Sequence, residues 1–248
     1  CRAGPGIGGI LPSQGDYSMM TRGLGHGDFK VIVFAPSSVQ ESVELMMLAF
    51  ELADKYRNPV TLMADGMIGQ MMEPVDFDNV SKPNPPDKSE WSTTGAKGRK
   101  PHLIRTLFLD PSEGEVVNRR RAVKYAGMEE NERRHETFNL EKPKKLVICA
   151  FGTISRVCKT ALDELQKEGI EVGLFRPITL WPFPFPELKK IAESTEIFLS
   201  VEMNNGQMIE DIRFALEGKK PVHFYGRQGG QVPAPEEVIA EVKKLLGK

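Results

Sequence analysis

Cysteine, histidine and tryptophan are all scarce in this chain. The three cysteines, Cys1, Cys149 and Cys158, form no Cys-x-x-Cys pair. An odd count without such spacing argues against a disulfide framework, and no thiolate set is spaced to hold an iron–sulfur cluster. A reducing, cytoplasmic compartment is the expectation. The four histidines, His26, His102, His135 and His223, lack zinc-ligand spacing. No apolar run is long enough to cross a bilayer, and none of the residues present reads as a signal peptide. Neither sign of charge dominates, since 33 basic residues face 34 acidic ones. That balance gives no reason to expect nucleic acid or a membrane surface as partner. Missing too are a Gly-Lys-Ser/Thr phosphate loop, a serine nucleophile elbow, and a Gly-Asp-Gly run followed by Asn that would hold Mg and a diphosphate. If the chain works on a phosphorylated cofactor, another polypeptide must hold the phosphates.

Glycine, by contrast, crowds the start. Gly4, Gly6, Gly8, Gly9, Gly15, Gly23, Gly25 and Gly27 stand with Arg2, Gln14, Asp16, Arg22 and His26 among them. Each glycine costs extra entropy to order, so such a cluster implies left-handed backbone or close approach to another group. The stretch reads as the wall of a polar pocket. It opens the chain with no initiator Met and no preceding strand, which leads us to expect a chain cut in mid-domain. Gly4, Gly6 and Gly9 formally spell Gly-x-Gly-x-x-Gly. Pro5, Pro12 and the lack of a flanking strand and helix argue against a dinucleotide fingerprint. Arg2 and Arg22 can each clamp a carboxylate through paired hydrogen bonds or brace loop carbonyls, and the residues leave both readings open. Asp16 is expected to hold an amide of its own loop rather than to perform acid–base chemistry.

Periodicity divides the rest of the chain into two α/β blocks. Val31 to Ala35 reads as a buried strand, and Ser37 or Ser38 caps the next helix. Val39, Val43, Met46, Met47, Phe50 and Leu52 or Ala53 supply its apolar face as far as Tyr56. Val60 to Ala64 is a second strand, turned at Asp65 and Gly66, which completes a β–α–β unit. From Pro74 to Pro101 the chain turns proline-rich and irregular, with Trp91 as a local anchor. A short strand is expected over Leu103 to Leu109. A capping box at Ser112 and Glu115 should open a charged helix reaching Phe138, whose Arg119 to Arg121 run faces solvent or another subunit. The second block begins near Lys144. It has strands at 146–150, 170–175, 197–201 and 222–225, and helices over 155–168, through 194, 207–216 and 234–246. Residues 176–186 read as a proline-stiffened loop. Cys149 is expected to be buried and inert, and Glu202 to cap the helix after its strand. We expect an α/β protein of two three-layer α/β/α domains with mostly parallel sheets. Residues 1–80 form an incomplete first domain, 81–143 a linker with the charged helix, and 144–248 the second domain.

The sequence also resembles a known family. The carriers are Arg-x-Gly-Pro-Gly-x-Gly-Gly-x-x-Pro-Ser-Gln-Gly-Asp-Tyr from Arg2, Thr-Arg-Gly-x-Gly-His-Gly-Asp from Thr21, and Ala-Pro-Ser-Ser-Val-Gln-Glu from Ala35. To these are added Phe-Glu-Leu-Ala-Asp-Lys-Tyr-Arg-Asn-Pro-Val from Phe50 and Asp-Gly-x-x-Gly-Gln-Met-Met-Glu-Pro from Asp65. They resemble the α subunit of thiamine-diphosphate-dependent 2-oxoacid:ferredoxin oxidoreductases, with the 2-oxoisovalerate branch nearest and the 2-oxoglutarate branch next. Phe151-Gly-Thr, Arg-Pro-x-Thr-Leu-x-Pro-Phe-Pro from Arg176 and Val-Glu-Met-Asn-x-Gly-Gln from Val201 resemble the transketolase carboxyl-terminal domain.

The resemblance implies oxidative decarboxylation of a 2-oxoacid, acyl transfer to coenzyme A, and electrons passed through iron–sulfur clusters on other subunits to ferredoxin. It implies thiamine diphosphate with Mg, held mostly by a β subunit, and a γ subunit as further partner. Residues 1–80 then correspond to the second half of the thiamine pyrimidine domain. Arg2 aligns with an arginine that contacts the substrate carboxylate. Gln14, Asp16 and Arg22 fall in the same catalytic loop, and Gly4, Gly6, Gly8, Gly9 and Asp16 lie along the cofactor. The family's Tyr-Pro-Ile-Thr-Pro segment and the glutamate that contacts the aminopyrimidine have no counterpart here, so this polypeptide alone is expected to be inactive. Two rivals stay open: a non-catalytic α/β assembly subunit, and the 2-oxoglutarate branch of the family.

Overall fold

A computed structural model gives the fold, and it describes residues 1–6, 9–23, 25, 28–82 and 84–248. The first block opens with a short helix α1 (Tyr17–Arg22), followed by strand β1 (Ile32–Phe34), helix α2 (Val39–Tyr56) and strand β2 (Val60–Leu62). Ile32, Val33 and Phe34 are fully buried, as a central strand of branched and aromatic residues should be. Ser38 caps α2 by accepting from the Glu41 N–H at 3.1 Å, and the Glu41 carboxylate accepts from the Ser37 N–H at 2.7 Å. The buried face of α2 is Leu45, Ala49 and Leu52. This corrects the expected face, because Met46 and Phe50 are exposed. The helix is apolar over most of its circumference, so periodicity alone could not choose which stripe packs.

A 3-10 turn at Ile68–Gln70 precedes the proline-rich stretch, and among the described residues no further named element follows before residue 111. Trp91 does anchor it, since the Arg57 guanidinium sits 4.7 Å from its ring centroid and Lys88 pairs with Asp54 on α2 at 2.8 Å. The expected strand at Leu103 to Leu109 does not form, and Leu103, Ile104, Leu107 and Leu109 are exposed. This segment joins neither sheet. Helix α3 spans Pro111–Asn131. Its cap is Asp110, which accepts from the Ser112 N–H at 2.8 Å, and Pro111 sits in the first turn. An aspartate just before a proline displaces the expected Ser112 cap.

The charged helix ends seven residues earlier than expected, because buried Glu132 draws the chain out of it. Its carboxylate takes Lys55 at 2.9 Å, the Tyr56 hydroxyl at 2.7 Å and Arg134 at 3.0 Å. Residues His135–Phe138 then form strand β3.

The second block adds β4 (Lys144–Cys149), α4 (Gly152–Lys167), β5 (Gly173–Pro177), β6 (Thr179–Trp181), α5 (Phe185–Ala192), β7 (Thr195–Glu202), α6 (Met208–Leu216), β8 (Val222–Gly226) and α7 (Pro235–Leu246). Its sheet runs β3-β5-β4-β7-β8, parallel except for β3 at the edge. Alternation sorts the strand side chains. Leu146, Ile148, Leu174 and Leu199 face α4 and α7, while Val147, Cys149, Phe175 and Phe198 face the opposite layer with Met208 and Ile212 of α6. Mostly parallel α/β/α layering was expected, and this is what forms.

The proline-stiffened loop conceals a strand. Strand β6 pairs antiparallel with β1, Val33 against Trp181 and Phe34 against Thr179, so the first sheet reads β2-β1-β6. Arg176 reinforces this join: buried, it binds Glu136 at 2.6 Å, meets Glu41 at the start of α2, and reaches the Ala35 carbonyl at 3.3 Å. Among the described residues no helix is long and apolar enough to cross a membrane.

Candidate functional site

Parallel α/β sheets gather function at the carboxyl ends of their strands. In this protein the glycine-rich loop lies across those ends. The Gln14 N–H donates to the Met203 carbonyl at 2.9 Å, just past β7. The Gln14 side chain accepts from the Met203 N–H and donates to the Phe151 carbonyl past β4, both at 2.9 Å. The Asn204 amide returns to the Gln14 carbonyl at 3.0 Å. Every polar atom of this 2 % exposed glutamine except one amide hydrogen is thus engaged in holding the loop.

Above that brace is a polar hollow of about 510 Å³. Its lining includes Arg2, Gly4, Gly6 and Asp16 from the loop, and Asn204, Gln207 and Gln228 from the ends of β7 and β8. Arg2 and Asp16 therefore share one concavity. Arg2 gives Nη1 to the Ala3 carbonyl at 3.0 Å and Nη2 to the Gly6 carbonyl at 2.8 Å, which fixes the guanidinium and leaves further N–H groups open to the hollow. Gly6 adopts φ 76°, a conformation that disfavours side chains. Among the described residues the Asp16 carboxylate accepts no hydrogen bond; the amides of Ile7 and Gly8 in the same loop lie outside them. Gly9 lies outside the hollow's lining, and Gly8 lies outside the described residues.

Arg22 goes elsewhere. It forms a paired contact with Asp211 on α6, at 3.0 and 3.2 Å, beside the buried Tyr17 hydroxyl, which donates to the same carboxylate at 2.5 Å. Burial first, and the Asp211 charge second, push the Tyr17 hydroxyl well above its ordinary pKa. Arg22 lines a separate hollow with Trp181, Phe185 and Phe214.

Two polar groups hold the floor. Glu202, fully buried, accepts from the N–H groups of Gln207, Met208 and Ile209 at 2.8 to 3.1 Å, and so caps α6 as expected. Gln207 accepts from the Ser18 N–H and donates to the Gly15 carbonyl, both at 2.7 Å, which ties α1 to α6. Sequence reasoning did not single out Gln207, Asn205 or Gln228 as site residues. The signal available was their polarity directly after two apolar strands. Cys149 is fully buried, and burial raises its thiol pKa strongly, as befits an inert core residue.

Comparison with known proteins places this geometry. Residues 1–147 match the family described as pyruvate flavodoxin/ferredoxin oxidoreductase, thiamine diphosphate-binding, and residues 145–238 match pyruvate:ferredoxin oxidoreductase core domain II. The ketoisovalerate oxidoreductase subunit VorB of Methanothermobacter marburgensis is 44% identical over 247 residues, covering 100% of this chain and 69% of the relative. The chain belongs to the 2-oxoacid:ferredoxin oxidoreductase family. Within that family, the 2-oxoglutarate synthase subunit KorA of Methanocaldococcus jannaschii is 33% identical, covering 96% of this chain and 70% of the relative. The solved 2-oxoglutarate:ferredoxin oxidoreductase of Magnetococcus marinus superposes with a TM-score of 0.74 at 22% identity, covering 98% of this chain. This chain spans 47% of that one. A split-gene transketolase shares the fold at a TM-score of 0.53. The oxidoreductase membership and the transketolase-like architecture expected from the motifs are both met.

Proposed function

We propose that this chain is the α-subunit part of an oxidoreductase that converts 2-oxoisovalerate to its acyl-coenzyme A with reduction of ferredoxin. The observation that carries the substrate is the identity gap, 44% to ketoisovalerate subunits against 33% to a 2-oxoglutarate subunit. Arg2, in the polar hollow, takes the substrate carboxylate through the N–H groups it does not spend on Ala3 and Gly6. Asp16 and the amides of Asn204 and Gln207 orient what lies beside it. Gln14 and Arg22 act as positioning residues, the first by pinning the loop and the second by holding α1 through Asp211.

The hollow suits a carboxylate and a polar ring edge better than a diphosphate. Arg2 is the one cation in its lining among the described residues, and these contain no group of three metal-ligating side chains. In this reading the diphosphate and Mg are held by a β subunit, and the iron–sulfur clusters by other subunits. The decarboxylation itself is chemistry that thiamine diphosphate supplies when bound. This chain's share is to bind, to orient and to exclude water. It requires its companions for turnover.

The test is viologen reduction by the full-length subunit assembled with its β and γ companions, with coenzyme A and three acids compared. The largest kcat/KM is expected for 2-oxoisovalerate over 2-oxoglutarate and pyruvate. A preference for 2-oxoglutarate contradicts the substrate reading, and no turnover with any of the three favours an assembly role.

A further inference from the structure

Where the end of α2 meets α3 there is a hollow of about 640 Å³ whose charged lining is entirely cationic: Lys30, Arg57, Arg121 and Lys124. Elsewhere this chain pairs its buried cations. Lys144 meets Glu171 at 2.7 Å, and Arg176 meets both Glu41 and Glu136. Among the described residues none of the four cations of the hollow makes an ion pair. The residues outside that description include no Asp or Glu.

Two of the four cations are held in place. Arg57 caps α2 in the left-handed region, at φ 46°, with its guanidinium stacked on Trp91. Lys124 donates to Asn58 Oδ1 at 2.9 Å. Asn58 is 8 % exposed and spends its amide on the carbonyls of Lys30 at 2.9 Å and Pro59 at 3.1 Å. Arg121 lies one turn before Lys124 on the same face of α3. Of the run Arg119 to Arg121, Arg121 alone is half-buried. Burial, then repulsion from Arg121 and Arg57, lowers the pKa of the Lys124 ammonium. Like charges gathered in a concave wall repel one another and focus a field that attracts anions.

We propose that this hollow binds a small anion carrying two or more phosphate groups, with the four cations supplying charge and Phe29 and Tyr125 an apolar wall. Its volume falls in the range of small-molecule sites, about 300–1,000 Å³. Its braced and concave form fits a compact anion better than an extended acidic segment of a protein. The site is distinct from the Arg2 hollow, and the proposal does not rest on the reading of that hollow.

The experiment is calorimetric titration of inorganic pyrophosphate into the assembled complex at low and moderate salt. It compares the native chain with an Arg121→Gln/Lys124→Gln pair and with Arg120→Gln. Saturable binding that the pair weakens at least tenfold and Arg120→Gln leaves nearly unchanged is expected. In the absence of phosphate the pair should melt close to the native protein, because repulsion is removed while the Gln amide at 124 can still donate to Asn58 Oδ1. ADP and coenzyme A in parallel titrations distinguish a free diphosphate from one carried on a nucleotide. Three results would each overturn the proposal: no difference between the native chain and the pair, equal weakening by Arg120→Gln, or tighter binding of a polyglutamate peptide than of pyrophosphate.

Discussion

Gln14 and Met203 exchange hydrogen bonds in both directions, the Gln14 N–H to the Met203 carbonyl and the Met203 N–H to Gln14 Oε1, each at 2.9 Å. The glycine-rich loop is thereby stitched to the end of β7, beside the hollow that Arg2 lines. Replacing Gln14 with Leu leaves the Met203 N–H and the Phe151 carbonyl without their partners in a dry setting. The expected loss is about 3 kcal/mol, or roughly 6–12 °C in Tm for a chain of this size. A change below about 0.5 kcal/mol, the scale of an ordinary surface substitution, would show that the loop is held by something else.

Glu202 supports the same region from below by accepting three backbone N–H groups at the start of α6. Glu202→Ala should cost about 2–4 kcal/mol, since it removes a cap and leaves buried donors unmet. Glu202→Gln keeps one acceptor oxygen and should cost less. Chemical denaturation gives both values, and the reverse order would contradict the capping role.

The Tyr17, Asp211 and Arg22 cluster predicts an order of sensitivity. Tyr17→Phe removes a fully buried hydrogen bond to a carboxylate, at about 1.5–3 kcal/mol. Arg22→Ala removes an ion pair whose arginine side chain is 46% exposed, worth about 1 kcal/mol or less after solvent screening. Finding Arg22→Ala the more damaging of the two in urea melts would mean that the ion pair, not the hydroxyl, ties α1 to α6.

Buried acids set an alkaline limit. Burial raises the pKa of the Cys149 and Cys158 thiols, and burial with Asp211 raises that of the Tyr17 hydroxyl. In each case the folded protein holds a proton that the unfolded chain releases, so stability is complete below the unfolded pKa and declines above it. The decline should begin near pH 8.5 from the thiols and steepen near pH 10 from the tyrosine, roughly their free values. A Cys149→Ala/Cys158→Ala pair should flatten the stability profile between those two points, as followed by urea melts across pH. An unchanged slope there would place the alkaline sensitivity elsewhere.

How far the sequence could be read depended on how local each determinant is. The strands β1, β4 and β7 were legible because Ile32 to Phe34, Leu146 to Cys149 and Phe198 to Val201 are apolar runs with clear stops. The cap at Ser38 and the role of Glu202 were legible for the same reason. Strand β6 was hidden among prolines because its partner, β1, lies in the other half of the chain. The end of α3 was misjudged because Glu132 is drawn inward by Lys55 and Tyr56 of α2, far away in sequence, together with its near neighbour Arg134. In the candidate site, Arg2 and Asp16 could be read from their loop. Gln207 and Gln228 could not, since which strand ends meet the loop follows from the order β4-β7-β8, a property of the sheet and not of any short segment.

In the proposed function, the hollow over the ends of β7 and β8 receives a 2-oxoacid through Arg2. The most direct measurement is the KM and kcat of Arg2→Ala in the assembled complex, with its melting temperature recorded alongside. The KM for the oxoacid should rise roughly ten- to a hundredfold, as for loss of a charge-assisted paired contact, with Tm nearly unchanged because Arg2 is exposed. An unchanged KM would contradict that role of Arg2.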